Sequence, residues 1–477
     1  MQMLGLTINK EIKIFRLISI IVVATLAWIF LHPVAGLSDK ALHMIIIFVA
    51  TMTGVMLEVC STVAFLLMSM LIANLTGTIE VKEGFCGFSN IVPWLLFLVL
   101  SLATAITKTS LGMRLAYIFM KFFGKGINGL SYSIILTELF VAPVLPSNTA
   151  RAASIGYPLV TSLAKYISEH VKNVTEKSIG SYLNLLYSSS NAVCSSLFLT
   201  AMISNAIIVE VMYENNIHMT WLSWTKFAIV PGLLILALIP FVVRIFSPQK
   251  TSDLGDIQAK AKNNYEMLGK LSKDEKCIIT TFSIMLVMWI FAEIIHIPVL
   301  VTTLLGLCVF YSLGIINIKD ILSSNGTFNA VITLGIIISY VNCLTTFGAI
   351  DWFNKIITNS IGDFSPFVAF FVLSVVYFFA HYFFTGEGSR IIALYSSFFS
   401  IGISLGIDKI IVSMTLAVFS SMSSILTHYS GPVAILMFST GYVSPKKWFA
   451  NGTTLALVIM CIWFSYLLIT NGQSMFF

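Results

Sequence analysis

Charge is what this chain has least of. Only 10% of its 477 residues are Asp, Glu, Lys or Arg, against about 25% in soluble proteins. Over this length, that deficit excludes a globular domain with a single anchor. Seven cysteines (Cys60, Cys86, Cys194, Cys277, Cys308, Cys343 and Cys461) show no C-x-x-C spacing. Most sit in apolar runs, where packed thiols are expected and neither a metal centre nor a disulfide framework is. The sequence also lacks H-E-x-x-H and paired aspartates within its apolar runs. Those are patterns a membrane-embedded enzyme would use, so no enzyme and no cofactor are expected.

What is present is apolar length. The chain is 57% hydrophobic, and a bilayer core of about 30 Å takes roughly 20 apolar residues per helix. The plainest spans are 17–30, 41–57, 63–75, 92–106, 227–243, 278–294, 299–315 and 454–469; several others are interrupted by polar residues. The net charge of +6 does not imply a nucleic-acid partner. With a cytoplasmic N-terminus and alternating spans, Lys10, Lys13, Arg16, Arg114, Lys121, Lys125, the 165–177 lysines, the 244–276 loop, Lys319, Lys446 and Lys447 fall inside. Only Lys40, Lys82, Lys226, Lys355 and Lys409 fall outside, which is the positive-inside bias. The first sixteen residues are mixed-charge and run directly into a span, as a cytoplasmic tail would; a cleaved leader would look different.

The one long polar stretch, 247–276, reads as a cytoplasmic linker dividing the chain near its middle. The two sides repeat weakly. A span ending at Thr107 to Gly112 leads into an amphipathic stretch at 113–123; Leu344 to Gly348 leads into another at 349–357. Each is followed by a glycine break and an apolar arm. Next come Ser147-Asn148-Thr149-Ala150-Arg151 and Gly386-Glu387-Gly388-Ser389-Arg390, each followed by a second arm. From Gly112 to Arg151 is 39 positions, and from Gly348 to Arg390 is 42. About forty residues on from each motif lies another polar interruption, 188–191 and 427–432. Non-helical backbone at membrane depth survives only inside protein or against a wet cavity. Such breaks in matched pairs point to an inverted repeat enclosing a site.

The division expected is 1–90 as N-terminal scaffold helices and 91–246 as the first repeat, with a hairpin at 128–166 and a broken helix around 188–191. After the linker at 247–276 come scaffold helices at 277–325. The second repeat is 326–477, with a hairpin at 364–402 and a broken helix around 427–432. In total this is an all-α polytopic membrane protein with about eleven transmembrane helices and two re-entrant hairpins.

The tips define the chemistry. Pro146 ends one arm because it lacks an N–H, and Ser147, Asn148 and Thr149 can cap the returning arm. A helix N-terminus offers free N–H groups to an anion, and Arg151 adds a guanidinium fork that suits a carboxylate. Gly388, Ser389 and Arg390 can repeat this from the opposite side. Two opposed cationic tips suit a small dianion with a carboxylate at each end. Taken singly, each piece has an ordinary reading: S-N-T is a common cap, and a buried Arg can lock onto a carbonyl or onto Glu138. His428 in isolation would be a packing residue; Glu138 and His381 read as structural, and Asn205 and Glu210 carry little signal. The substrate site is read from the combination.

At these residues the chain resembles the divalent anion/sodium symporter superfamily, nearest its citrate/succinate and 2-oxoglutarate/malate translocator branch. The matching pieces are P-S-N-T-A-R-A at 146–152, S-N-A-V-C-S-S-L-F-L-T-A-M at 190–202, H-Y-F-F at 381–384, L-T-H-Y with G-P at 426–432, and G-Y-V at 441–443 with Trp448. They cover essentially the whole chain, in order. The resemblance implies a homodimer whose protomers each have a scaffold and a transport domain, the latter moving like an elevator. It implies substrate contacts at Ser147, Asn148 and Thr149 and from Thr427 and His428 to Gly431 and Pro432, with Ser190 and Asn191 in the first broken loop as a possible cation site. The chain departs from the family at Gly386-Glu387-Gly388, where S-N-T or S-T-T is usual. Glu387 there can neutralise Arg390, hold a cation or proton, or repel one end of a dianion.

The coupling expected from these charges is obligatory exchange of C4 or C5 di- or tricarboxylates. Two uncompensated buried arginines would hinder the return of a carrier without substrate. The alternative within transporters is sodium- or proton-coupled symport, and an anion channel is a further class. The partners expected are small carboxylate anions and the lipid bilayer. The composition and short N-terminus favour a bacterial plasma membrane over an organelle envelope.

Overall fold

The computed structural model describes residues 10–33, 36–57, 59–249, 256–323, 325–349, 352, 365–384 and 386–471. The expected hairpin start at 364, the side chain of Ser389 and all of the 349–357 stretch except Ala349 and Trp352 lie outside the described residues.

All regular structure among the described residues is helical. Short polar side chains set many of the helix starts, as the orphan N–H groups of a first turn require. Ser38, Ser61, Thr175, Thr220, Ser272 and Asp408 each accept a backbone N–H of the turn they open. Among the described residues, four helices are long and apolar enough to cross a membrane: Trp221–Phe246, Thr327–Thr346, Pro366–Phe383 and Pro445–Thr470. The bent pair Val81–Ser89 and Pro93–Thr107 would make a fifth.

Of the four hydrophobic clusters among the described residues, the two largest organise the fold. The smaller joins Asp39–Met56, Thr62–Leu75 and Asn325–Thr346 through Ile47, Leu66, Ile336 and Ile337. The Ser69 and Tyr340 hydroxyls, 2.8 Å apart, pin it from within. The larger core gathers the elements around both arginine motifs, together with Trp221–Phe246 and Pro445–Asn471. At its centre Glu176–Leu197 packs on Lys409–Met422, and Ser421 donates to the Ala192 carbonyl at 2.7 Å.

Two helix–tip–helix elements occur in that core. In the first, Gly126–Val141 ends in turns, and the chain re-enters a helix at Asn148. The returning arm widens into a π-turn at Ala152–Gly156. Pro158 explains it, because a ring without an N–H disrupts the regular bond four residues back. In the second, Pro366–Phe379 and a short 3₁₀ turn lead to Gly386, and Glu387–Ser404 returns.

The break expected at Ser188–Asn191 is not there. Glu176–Leu197 runs through it without interruption. The serines satisfy themselves on helix carbonyls, Ser190 on Leu186 at 2.7 Å and Ser195 on Asn191 at 2.7 Å, so this polar run needs no change of backbone. The helix ends at Leu197 instead, and extended residues Phe198 and Met202 flank a 3₁₀ turn at Leu199–Ala201. Asn205 donates to the Ser195, Phe198 and Leu199 carbonyls at 3.1–3.3 Å, pairing groups the helix end leaves open. The other broken helix is non-helical from Leu426 to Gly431, after which Pro432–Phe438 begins.

Candidate functional site

Ser147 opens the first returning arm, its hydroxyl accepting from the Ala150 N–H at 3.1 Å. Asn148 Oδ1 accepts the Thr149 N–H at 2.8 Å, which fixes the amide and turns its Nδ2 outward. That Nδ2 donates to Glu387 Oε2 at 2.9 Å, across 239 residues of sequence. The two tips therefore touch through one side-chain bond. Glu387 is 8% exposed; the Ser424 hydroxyl interacts with its carboxylate, and its Oε1 lies beside Gly431.

A cavity of about 360 Å³ opens around this contact, within the roughly 300–1,000 Å³ typical of small-molecule sites. Its polar wall comes from the larger core: Asn148, Thr149, Ser204, Gly386, Glu387 and Gly388, with Pro432 at the second break. Its opposite wall comes from the smaller core, through Met52, Val55, Leu66 and Ile337, and from Leu334 of a small adjoining cluster with Leu100 and Ile338. The cavity thus lies where the two cores meet. Ser204, Met202 and Ile203 at the first break also line it and were not anticipated, because Phe198 to Met202 carries no proline or glycine to mark a break.

Both arginines face away from the cavity, against expectation. Arg151 is fully buried. Its Nε donates to Glu138 Oε1 at 2.6 Å, one terminal nitrogen donates to the Leu145 and Ala201 carbonyls at 2.7 and 2.6 Å, and the other to Ser195 Oγ at 2.7 Å. Glu138 also accepts from Tyr187 at 2.9 Å and Asn191 at 2.7 Å. This carboxylate is the counter-charge that lets a guanidinium sit there, since a buried ion needs a partner.

Arg390, also fully buried, donates to the Tyr377 carbonyl at 2.9 Å and the Ser420 carbonyl at 2.8 Å, and lies 4.5 Å from the Tyr377 ring centre. No ion pair to it occurs among the described residues. Each arginine reaches back thirteen residues to the arm before its own tip, to Glu138 and to Tyr377. Both are locks that fix tip geometry; neither lines the cavity.

The other expected residues divide. Ser190 is bonded within its own helix. Asn191 holds Glu138 and the Asn148 carbonyl, supporting the first tip from behind. Thr427 is fully buried with a hydroxyl unpartnered among the described residues, and His428 packs edge-on to Tyr429 and Phe449 and tilted against Phe438. Neither is among the cavity-lining residues. Buried His381 ties its tip to the second break, Nε2 donating to the Ser430 carbonyl at 2.9 Å. Glu210 accepts from Asn90, joining the first broken helix to the chain just before Ile91–Thr107.

An all-helical chain with two tip elements and an internal cavity between two cores has the fold of a membrane transporter. Two solved transporters share it over nearly their whole length. The Neisseria gonorrhoeae protein MtrF, described with a class of antimetabolite efflux pumps, superposes with a TM-score of 0.56 at 12% identity, covering 97% of this chain and 94% of its own. The Alcanivorax borkumensis YdaH transporter gives 0.57 at 11%, covering 97% and 98%. At such identity the likeness concerns the fold alone. The chain belongs to the sodium:sulfate symporter transmembrane region family, whose model matches residues 12–471, and is therefore a membrane transporter and not an enzyme. Among its relatives is a putative malate transporter, YflS, of Bacillus subtilis, 32% identical over 95% of each chain. Another is the chloroplastic dicarboxylate transporter 1 of Arabidopsis thaliana, 31% identical over 90% of this chain and 77% of that one.

Proposed function

We propose that the chain is a secondary transporter of small dicarboxylates, taking malate-like C4 or C5 acids into the cavity between its two tips. The observation that carries this is the cavity's two-sided chemistry: amide, hydroxyl and N-terminal helix turns at the tips face a mostly apolar wall that holds Thr62 and Thr333 among its aliphatic residues. Helix N-termini and the Asn148 amide suit carboxylates. The names of the relatives support the same substrate class.

The larger core would carry the tips past the smaller one in an elevator movement, since the tips and the first break line one side of the cavity and Asp39–Met56, Thr62–Leu75 and Asn325–Thr346 line the other. In this reading the tips are re-entrant hairpins and the halves an inverted repeat, for which the matched thirteen-residue arginine locks speak. The protein would work as a homodimer of about eleven-helix protomers in a bacterial plasma membrane, with its N-terminus cytoplasmic.

For coupling, we carry forward exchange on altered grounds. Arg151 is neutralised by Glu138, so of the two tip arginines Arg390 is the one without an ion pair among the described residues. When Glu387 is neutral, a tip domain without substrate keeps that charge and should cross poorly. The second reading is cation-coupled symport, favoured by the carboxylate of Glu387 in the cavity wall. Uptake of labelled malate into sodium-free liposomes with and without internal dicarboxylate separates the two. Uptake confined to loaded vesicles supports exchange. Uptake into empty vesicles only under a sodium or proton gradient supports symport, and no uptake of any dicarboxylate refutes the substrate class.

A further inference from the structure

Glu387 stands where two demands conflict. Its carboxylate lines the cavity and accepts the Asn148 amide, the donor a substrate carboxylate would use. A dianion entering beside an ionised Glu387 would meet a like charge at close range and compete for one donor. The neighbouring charges do not resolve this. Arg390, one turn along, spends its terminal nitrogens on the Tyr377, Phe419 and Ser420 carbonyls. Arg151 behind the first tip is paired with Glu138.

Other titratable groups on the surrounding elements point elsewhere. His381 is engaged by Ser430 and Ser423, and His428 lies among aromatic rings. Glu210 and Glu214 face Ile391, Ile392 and Ser396, further along the returning arm. Asp408 and Lys409 sit at the opening of Lys409–Met422, and Asp39, Lys40 and His43 at the start of Asp39–Met56, whose other end supplies Met52 and Val55 to the cavity. Glu387 is the one ionisable side chain in the described cavity wall.

We infer that Glu387 takes up one proton with each dianion, so that the protein moves a dicarboxylate together with H⁺. The proton comes from the aqueous side the substrate enters and leaves with it on the other. Protonation removes the like charge and frees the Asn148 amide for a substrate carboxylate. After release of substrate and proton, the ionised carboxylate retakes Asn148 and balances Arg390. A carrier that keeps the proton returns only with substrate, and one that loses it returns alone. The inference rests on the dicarboxylate reading above.

The test uses the full-length protein in sodium-free, malate-loaded liposomes. Labelled malate uptake is measured with and without an inward proton gradient, holding the external concentration of doubly ionised malate equal. The wild type should take up malate severalfold faster with the gradient, while an internal pH dye reports acidification that depends on malate. In Glu387→Gln the ratio of the two rates should fall to one and the dye signal vanish. In Glu387→Asp the gradient response should persist with a displaced pH profile, and this variant carries the test if the glutamine protein does not fold. Equal gradient responses in wild type and Glu387→Gln would overturn the inference, as would a wild type indifferent to the gradient. Absence of malate uptake under every condition would instead overturn the dicarboxylate reading, and the inference with it.

Discussion

Asn148 and Glu387, 239 residues apart in sequence, meet through a single 2.9 Å hydrogen bond that joins the two tips across the candidate cavity. Neither tip makes a closed site alone. The bond pairs the amide donor of one tip with the carboxylate acceptor of the other.

Asn148→Ala removes that donor from both Glu387 and substrate. A hydrogen bond to a charged group contributes about 1.5–3 kcal/mol, so the half-saturating malate concentration should rise roughly tenfold or more. Initial-rate uptake in proteoliposomes checks this. Unchanged half-saturation would remove Asn148 from the site.

Arg151→Met leaves Glu138 buried without its cation. Breaking such a pair from one side costs about 3–5 kcal/mol, so detergent-solubilised protein should unfold at a markedly lower temperature. The double variant Arg151→Met with Glu138→Gln should recover part of the loss. A single variant of wild-type stability but poor substrate affinity would restore Arg151 to the cavity.

Gly156 lies against Tyr187, the residue whose hydroxyl holds Glu138. A Cβ at this position would overlap the Tyr187 ring. Gly156→Ala should therefore destabilise by about 1–3 kcal/mol, while Gly156→Ala with Tyr187→Ala relieves the overlap at the cost of the hydroxyl. Thermal unfolding of both reads the difference.

Arg114 anchors the linker, donating to the Leu268 and Gly269 carbonyls at 2.8 Å each, to the Lys270 carbonyl at 3.3 Å and to Glu275 at 2.8 Å. Arg114→Ala should release this segment and speed tryptic cleavage at Lys262 and Lys270. Equal cleavage rates would show that the linker is held by other contacts.

Much of this arrangement was legible in the sequence and some was not, for physical reasons. The tips stand out because Pro146 to Asn148 and Gly386 to Gly388 interrupt apolar arms with residues that stop, cap or reopen a helix. The direction of the arginines does not stand out. Arg151 follows the tip by one turn, but its partner Glu138 is thirteen residues back, and only the fold brings them together. Ser188 to Asn191 looked like a break because a polar run in a buried helix resembles one, until its hydroxyls are seen to bond helix carbonyls. The true break hides in Phe198 to Met202, and Asn205, which read as uninformative, holds it.

The central claim is that the cavity between the tips holds the dicarboxylate. The direct measurement is protection of a cysteine placed at Thr149, in a background with the seven native cysteines replaced, against a membrane-permeant maleimide. Saturating malate should slow labelling severalfold, and a monocarboxylate of similar size should leave it unchanged. Labelling indifferent to malate, in a protein that still transports it, would place the substrate elsewhere and contradict the account.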